Sequence, residues 1–253
     1  MEPEITPFKP KDCFQFDCHP GVPCFNACCR DLNQFLTPYE ILRLKRHLNM
    51  DSGSFLVRYT QSHMGPTTGL PIITLKPGPG NDHPCPFVSP QGCRVYEARP
   101  ASCRIYPLMR GVQQDPRSGK LKVHYALLKE PHCRGFAQQK TQSVAQWIRN
   151  QELETYTALN DPLAALIAKK RRRFPGPLDL RRSHLFRLAL YDLDTFRDHI
   201  YTKGLLDHAA MDSQIMETAR RDELALLKLG YDYVARALLG PVTPEVPVAK
   251  TGS

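Results

Sequence analysis

Residues 18–41 of this 253-residue chain read CHPGVPCFNACCRDLNQFLTPYEI and join a cysteine cluster to a helix start. Four of the nine cysteines lie in the first twelve positions of this stretch, residues 18–29. A free cysteine can be a small buried apolar residue, but so dense a group favours metal binding or redox chemistry. The candidate ligands in this stretch are Cys18, Cys24, Cys28 and Cys29.

The second half of the stretch predicts where a helix begins. Thr37 suits the N-cap, Pro38 suits the first helical position, and Glu40 stands where it completes a capping box. Leu36 and Ile41 occupy the two positions of a hydrophobic staple. We therefore expect a helix that begins a few residues after the adjacent cysteine pair and fixes the direction in which that pair points.

A second cysteine motif lies further along the chain. Residues 85–103 read CPFVSPQGCRVYEARPASC, and one more cysteine follows at Cys133. With Cys13 set aside as the spare thiol, eight cysteines remain, enough for two centres of four thiolates each. The predicted metal and cofactor ligands are Cys18, Cys24, Cys28, Cys29, Cys85, Cys93, Cys103 and Cys133.

The spacing of the cysteines bears on which metal they hold. Zinc fingers and ribbons use Cys-x2-Cys knuckles, and this sequence has none. Iron–sulfur clusters accept more varied spacing, because their irons are spread over several ångströms. The three-cysteine motif of radical-SAM enzymes is also absent. Cys24 and Cys28 have its first spacing, but Asp31 stands where the third cysteine would lie. We favour one or two [4Fe–4S] clusters, with zinc as the alternative.

The adjacent pair Cys28-Cys29 suggests how the ligands divide. Neighbouring side chains of an extended chain point to opposite sides. The two thiolates would therefore serve two different centres, or two irons of one cluster. If there are two centres, we expect them to lie close together.

Three histidines near the cysteines are alternative ligands. His19, His83 and His132 are each able to replace a thiolate. Because the cysteines already suffice for two centres, we expect these histidines to lie at the surface or to support the ligands.

Composition limits the class of protein. Hydrophobic residues make up 42% of the chain, enough for a buried core. No apolar run approaches 18 residues, and the N-terminus is acidic and broken by proline. We therefore expect no membrane span, no secretory signal and a cytoplasmic location. Thiols stay reduced there, which favours metal binding over disulfides.

The net charge of +9 is uneven. Residues 1–150 carry 19 Lys and Arg against 11 Asp and Glu, whereas residues 151–253 are nearly balanced. A basic region usually suggests nucleic acid. Two four-thiolate centres, each of charge −2, would instead lower the first part from +8 to about +4. We thus expect a protein or redox partner and disfavour nucleic acid.

The predicted fold class is α+β, with an irregular cysteine-rich metal-binding domain that contains a small hairpin, followed by a mainly helical domain. No cysteine occurs after Cys133, and prolines are dense around residues 77–90. We place the metal-binding domain at residues 1–140 and the helical domain at residues 141–240. Residues 241–253 are rich in proline and valine and predict a flexible tail.

Several secondary elements follow from local patterns. The alternation in residues 120–127 predicts a strand that forms a hairpin with residues 105–112. Asp161-Pro162 predicts the cap of a helix that ends in the basic run 169–173. That run is interpreted as a solvated helix end rather than a nucleic-acid patch. Two further helices are expected over residues 183–201 and 212–239.

The cysteine motifs carry a resemblance to a known family. FDCHPGVPCFNACC followed by LTPYEILRLK, and then CPFVSPQGCRVYEARPASCRIYPL, resemble the CxxCxxCC family of zinc- or iron-chelating proteins. The later ALYDLDTFRDHIY resembles the helical tail of longer bacterial members. The first motif departs from the usual spacing, with five residues after Cys18 and three after Cys24. The resemblance implies a metal or iron–sulfur site.

Three functional hypotheses remain open. The first is an iron–sulfur protein in electron transfer or in a redox or modification reaction. The second is a zinc-stabilised module that binds protein or nucleic acid. The third is a protein-lysine methyltransferase-like enzyme, since one branch of the resembled family includes flagellin lysine N-methylases; this sequence has no Gly-rich fingerprint for the methyl donor. No paired carboxylates, Ser/His/Asp set or phosphate loop indicates other catalytic residues.

The residues around the second motif have two interpretations. Arg94, Arg99 and Arg104 flank Cys93 and Cys103. They would stabilise an anionic cluster or substrate, or they would pair with surface carboxylates. Tyr96 and Tyr106 are expected to pack beside the site rather than react.

Overall fold

The computed structural model describes residues 2–115, 120–206 and 212–238. Short strands, turns and a few helices make up the cysteine-bearing part, and helices dominate after it, so the protein is α+β. The strands are β1 (Glu4–Phe8), β2 (Cys13–Gln15), β3 (Phe35–Leu36), β4 (Thr60–Met64), β5 (Pro71–Leu75), β6 (Val88–Ser89), β7 (Gly92–Cys93), β8 (Leu108–Gln114), β9 (Leu121–Lys129) and β10 (Thr141–Ser143).

The helices begin with the predicted one after the first cysteine cluster. Within the described ranges, none is both long and apolar enough to cross a membrane. The helices are α1 (Pro38–His47), α2 (Ser52–Tyr59), α3 (Ala101–Ile105), α4 (Val144–Asn150), α5 (Leu153–Arg173), α6 (Leu180–Tyr191), α7 (Leu193–Tyr201), α8 (Ser213–Arg221) and α9 (Glu223–Tyr233), which continues as a π-helical segment, Val234–Leu238.

The sheets are small and antiparallel. Their strand orders are β1-β9-β8, β3-β5-β4, β10-β2 and β6-β7. The β8–β9 pairing confirms the predicted hairpin, with Leu108 opposite Leu127 and Val112 opposite Val123. The hairpin begins later than expected, because Ile105 belongs to α3 and a cis Tyr106–Pro107 bond precedes β8. Residues 116–119 of its predicted turn lie outside the described residues.

The start of α1 is the predicted capping box. The Thr37 hydroxyl accepts a hydrogen bond from the Glu40 amide at 3.3 Å, and the Glu40 carboxylate accepts one from the Thr37 amide at 2.8 Å. Two orphan donors of the first turn are thereby satisfied. The helix therefore begins at Pro38, and its buried face, including Ile41 and Leu44, enters the core.

The prediction that Asp161-Pro162 caps a helix is wrong. The helix α5 starts eight residues earlier, at Leu153, and Pro162 lies inside it. Asp161 instead accepts two hydrogen bonds of 2.8 Å from the Arg110 guanidinium, which fixes β8 against α5. That bidentate charged pair, together with packing along the rest of the helix, offsets the amide hydrogen that proline lacks.

The two helices expected after residue 183 are each divided. Asp192 leaves helical geometry between α6 and α7, and its carboxylate accepts a hydrogen bond from the Ser52 hydroxyl at 2.7 Å. Asp222 divides α8 from α9, and its carboxylate accepts from the Ala225 amide at 2.7 Å. Aspartate at such positions caps the next helix start or bonds another element, and so ends the helix before it.

Two hydrophobic cores hold these elements together. In the smaller one, the Trp147 indole donates a hydrogen bond of 2.9 Å to the Ile105 carbonyl, and Phe16 meets the Trp147 ring edge-on at 5.7 Å. The larger core takes fully buried side chains from both sides of residue 140, including Leu44, Phe55 and Leu190. The domain boundary that we placed near residue 140 therefore stays a prediction. The predicted tail, residues 241–253, lies outside the described residues.

A buried ion cluster joins α1 to α7 and α9. The Lys45 side chain is almost fully buried, and its ammonium group donates to Asp194 at 2.8 Å and to Glu223. The Ser52 amide also donates to Asp194, at 2.7 Å. In this cluster the Lys45 ammonium group therefore lies between two carboxylates. Such pairing offsets the cost of removing a charge from water.

Candidate metal centre

The cysteines lie on loops and very short elements. Cys28 and Cys29 form the end of a 3-10 turn, Ala27–Cys29, which follows Asn26 in a left-handed conformation with φ of 67°. Asparagine tolerates that conformation better than most residues. The other cysteines of the site sit in the loop after β2 (Cys18, Cys24), before β6 (Cys85), in β7 (Cys93), in α3 (Cys103) and in the turn after β9 (Cys133).

The first group of thiols contains Cys18, Cys24, Cys28 and Cys133. The amide next to Cys133, that of Arg134, donates to the Cys24 sulfur at 3.0 Å. Cys24, Cys28 and Cys133 all lie near enough to Cys18 to disfavour its thiolate electrostatically. Four cysteines that are up to 115 residues apart in the chain are therefore neighbours in the fold.

A glycine permits this approach. Asp17, next to Cys18, donates its amide to the Gly135 carbonyl at 3.1 Å. A Cβ atom on Gly135 would lie 2.4 Å from the Phe16 ring and 2.8 Å from the Asp17 carbonyl oxygen. Because no other residue fits there, Gly135 lets the turn with Cys133 lie against the segment with Cys18.

The second group contains Cys29, Cys85, Cys93 and Cys103. The Cys85 amide donates to the Cys29 carbonyl at 2.8 Å, and Cys93 pairs with Val88 in the β6–β7 hairpin. The thiols of Cys85 and Cys93 both act electrostatically on Cys103. The motif of residues 85–103 therefore folds back on itself and closes against the adjacent pair.

The adjacent pair Cys28-Cys29 lies where the two groups meet. The prediction assumed extended chain, but the pair lies in a 3-10 turn, where successive side chains diverge by about 120°. Cys28 acts electrostatically on both Cys18 and Cys103, and Cys29 interacts with Cys85 and Cys103. A hydrogen bond from the Cys29 thiol favours the Cys28 thiolate, which lowers the pKa of Cys28 and raises that of Cys29.

Desolvation is the main cause of the raised pKa values of Cys18, Cys85, Cys93, Cys103 and Cys133. It raises the pKa of Cys18 to about 11 and that of Cys103 to about 12, with neighbouring thiols adding to the shift. Cys103 keeps an accessible side while protein atoms surround the rest of the residue. Metals bind thiolates, so metal uptake by these groups releases protons.

The donor set fits thiolate-bound metal. In the part of the chain that the structure describes, no three His, Cys, Asp or Glu side chains converge closely enough to enclose a single ion. The eight thiols nonetheless lie in loops that approach one another, and eight is the number that two zinc ions or two [4Fe–4S] clusters take at four thiolates each. The Tyr106 hydroxyl, beside Cys133, is buried and has no hydrogen-bond partner among the described residues. A buried polar atom at the margin of a site is consistent with a ligand there.

Cys13 belongs to neither group. It lies exposed in β2, and its sulfur approaches the Lys11 carbonyl at 3.8 Å. Its role as the spare thiol stays a prediction.

The three histidines have polar contacts with residues other than the cysteines. The His19 ring accepts a hydrogen bond from the Gly21 amide at 3.1 Å. The His83 ring lies 4.0 Å from Asp31, and the His132 ring lies 3.8 Å from Glu130. All three contacts fit the supporting or surface role that the sequence suggested.

The arginines of the second motif bond mainly to the backbone. Arg94 donates to the Pro86 carbonyl at 2.6 Å, and Arg99 donates to the Tyr96 carbonyl at 2.6 Å. Both cations favour the Cys93 thiolate, although desolvation raises its pKa overall. Arg104, which is buried like Arg99, donates to the Glu97 carbonyl at 2.6 Å and also pairs with Glu152 at 3.4 Å.

The tyrosines pack beside the site. Tyr106 meets the Phe16 ring edge-on at 6.0 Å, and desolvation raises its pKa. Tyr96 is exposed, and the Arg99 guanidinium stacks 3.7 Å from the centre of its ring.

Two buried polar residues that the sequence did not connect to the site position Cys103. Glu40 accepts a hydrogen bond of 2.9 Å from the Ala101 amide, the first residue of the helix that carries Cys103. The Gln34 carbonyl oxygen accepts from the Ser102 hydroxyl at 2.8 Å and lies 3.6 Å from the Cys103 sulfur. The capping-box pattern identified Glu40, but its second contact crosses 61 residues of sequence and has no local signal.

Eight thiols brought together by loops are typical of a cysteine-rich metal-binding protein. The chain belongs to the CxxCxxCC family, which is described as a proposed zinc- or iron-chelating domain. The family's sequence pattern matches residues 17–143, half of the chain. No curated protein and no solved structure matches the chain at a significant level.

Proposed function

We propose that the protein holds two [4Fe–4S] clusters, one on Cys18, Cys24, Cys28 and Cys133, the other on Cys29, Cys85, Cys93 and Cys103. The observation that supports this proposal is the proximity of these thiols: Cys24, Cys28 and Cys133 act electrostatically on Cys18, Cys85 and Cys93 act on Cys103, and the adjacent pair interacts with both groups. Such clusters supply one-electron transfer. The two sets meet at Cys28-Cys29, so electrons would pass between centres that are close together.

The residues around the thiols support an anionic group. A [4Fe–4S]²⁺ core with four thiolates carries a net charge of −2. Arg94 and Arg99 place cations beside the second set, where desolvation makes charge interactions stronger than in water. Tyr106 would direct its hydroxyl to the Cys133 thiolate of the first set. Hydrogen bonds and charges of this kind tune the potential of a cluster.

The cysteine spacing supports iron–sulfur rather than zinc. The chain has no Cys-x2-Cys knuckle, and its ligands come from loops of very different length. The function that fits is electron transfer, or a redox or modification reaction, with a protein partner in the cytoplasm. The methyltransferase alternative has no support in the sequence beyond the resemblance.

A zinc-stabilised binding module is the second candidate. It is favoured by the family description, which names zinc beside iron. Zinc with four thiolates would hold the loops together without redox chemistry.

Purification without oxygen after growth with ample iron separates the two. We expect brown protein with broad visible absorption, acid-labile sulfide and iron in equal amounts, and bleaching on reduction. Colourless protein with stoichiometric zinc and no sulfide would exclude the clusters and establish the zinc module.

A further inference from the structure

A second charged feature lies outside the cysteine region. Residues 169–187 contain eight Lys and Arg and one Asp, a net charge of +7 within 19 residues. The remainder of residues 151–253 has a net charge of −6. The small net charge of residues 151–253 is therefore the sum of one strongly basic segment and an acidic remainder.

The fold places these cations at one corner. The helix α5 ends with Arg171, Arg172 and Arg173, and α6 begins with Leu180, Arg181 and Arg182, across a short bend. Within this segment the one carboxylate, Asp179, pairs with Arg182 at 3.3 Å. We define the basic corner as these five arginines, of which all but the half-buried Arg182 are exposed.

A buried lysine holds the bend in place. Lys170 belongs to the basic run that was interpreted as a solvated helix end, yet its side chain is fully buried. Its ammonium group donates to the Thr68 carbonyl at 2.8 Å and to the Gly176 carbonyl in the bend. The expectation of solvation was wrong at this position, because two backbone carbonyls replace water around the cation. The arginines on either side are therefore presented on a fixed turn.

One apolar side chain is strongly exposed next to the arginines of the basic corner. Leu180 is 91% exposed, although it lies directly between Asp179 and Arg181. The bend before it contains the exposed residues Pro175 and Pro177. A protruding leucine next to Arg181 and Arg182 combines the two features of peripheral membrane-binding surfaces, apolar insertion and basic charge.

We propose that the basic corner binds the surface of an anionic lipid bilayer. The arginines would lie at the level of the phosphate headgroups, and Leu180 would enter the boundary between headgroups and acyl chains. Each basic residue near an anionic surface strengthens binding by about fivefold. Burial of Leu180 adds a contribution that does not depend on charge.

The same observations disfavour nucleic acid as the occupant. Binding to single strands relies on exposed aromatic rings that stack on bases. Phe174 is the aromatic residue of the bend, and it is half-buried with the Arg182 guanidinium 5.1 Å from its ring centre. A projecting leucine has no role on a phosphate backbone, whereas it has one on a lipid surface.

The test is co-sedimentation of the metal-loaded full chain with vesicles of phosphatidylglycerol and phosphatidylcholine at about 0.1 M salt. Pure phosphatidylcholine vesicles are the neutral surface, and a single-stranded RNA is the competing polyanion. One variant carries Arg171→Gln, Arg173→Gln and Arg181→Gln. Its matched control carries Lys9→Gln, Lys11→Gln and Lys122→Gln, three exposed cations elsewhere with the same change in net charge.

We expect binding to the anionic but not to the neutral vesicles, a loss of about 100-fold in the arginine variant and little loss in the lysine control. Leu180→Ser should weaken vesicle binding about tenfold and leave RNA binding unchanged. Equal losses in the arginine and lysine variants would overturn the proposal, as would binding to neutral vesicles of the same strength. RNA binding tighter than vesicle binding, with no effect of Leu180→Ser on either, would also overturn it and assign the corner to nucleic acid.

Discussion

The helix α6 and the loops that carry the cysteines differ in how they are held. Leu188, Ala189 and Leu190 of α6 are almost completely buried, and they pack within the larger core. The eight grouped cysteines are exposed or half-buried, and the strands β6 and β7, which lie between Cys85 and Cys103, are two residues long. Apolar burial of about 25 cal/mol per Å² stabilises the helices along their length. In the cysteine loops it is confined to single side chains such as Val22, Phe87 and Val95.

The comparison shows what a metal centre supplies to a fold. The loops bring eight thiols together through a few backbone hydrogen bonds, such as the one from Cys85 to Cys29. Small domains of this kind take their stability from the bound metal, because the unfolded chain has no assembled site. We therefore expect the two regions to respond to different perturbations.

The largest effect should come from removing the metal. A structural metal contributes on the order of 10 kcal/mol in small zinc domains. After chelation, amide hydrogens in residues 18–34 and 83–95 should exchange much faster with solvent, while those of α6 and α9 keep most of their protection. Hydrogen exchange with and without chelator measures this. Uniform loss of protection along the chain would show that the two regions are not separately stabilised.

The opposite perturbation is a cavity in the helical core. Leu190→Ala removes a fully buried side chain and should lower the free energy of unfolding by about 3 kcal/mol. Leu180→Ala, on the same helix but exposed, should lower it by less than about 0.5 kcal/mol. Urea unfolding gives both values, and metal content should be unchanged in each. Loss of metal in Leu190→Ala would mean that the core and the centre share one unit of stability.

Glu40 connects the two regions, so its substitution should affect both to a smaller degree. Glutamine has one acceptor oxygen where the carboxylate receives both the Thr37 and the Ala101 amides. Glu40→Gln should therefore cost about 2 kcal/mol, since one buried donor loses its partner. It should also speed metal loss from the centre with Cys103. The matched control Glu154→Gln, at an exposed position of α5, should do neither. Equal unfolding free energies and equal rates of metal loss in the two variants would show that Glu40 does not connect the two regions.

The smallest effect concerns acid. Desolvation opposes the charge of Asp194 and Glu223, but hydrogen bonds from Lys45 outweigh it and lower both pKa values below the ordinary 3.8 and 4.5. The stabilisation they give is present above those ordinary values and is lost as pH falls through the lowered ones. The free energy of unfolding of metal-free protein should thus decline below pH 4.5. Lys45→Met should make this decline shallower, and an unchanged slope would contradict the assignment.

Local patterns predicted the features that depend on neighbouring residues. The capping box at Thr37 and Glu40 and the β8–β9 hairpin rest on side chains a few positions apart, so both were found in the sequence. The adjacent pair Cys28-Cys29 likewise suggested two groups of ligands. In each of these cases the residues that interact also form the sequence pattern that predicts the interaction, and they lie in one short segment.

Features that depend on distant partners were missed. Pro162 reads as a helix start, yet α5 passes through it because Asp161 is held by Arg110, 51 residues away. Lys170 reads as solvated, yet its cation is buried against the Thr68 carbonyl. Which cysteine joins which group depends on loops that approach in space, so spacing alone gave the set of eight and left its division open.

The central claim is that the eight cysteines form two separate centres. Anaerobic iron and sulfide analysis of Cys133→Ser, Cys103→Ser and the double variant tests it directly, with Cys13→Ser as the control. We expect about eight irons per chain in the unmodified protein and in Cys13→Ser. Each single variant should keep about half, and the double variant should keep almost none. Complete iron loss in either single variant, or equal loss in Cys13→Ser, would contradict the two-centre assignment.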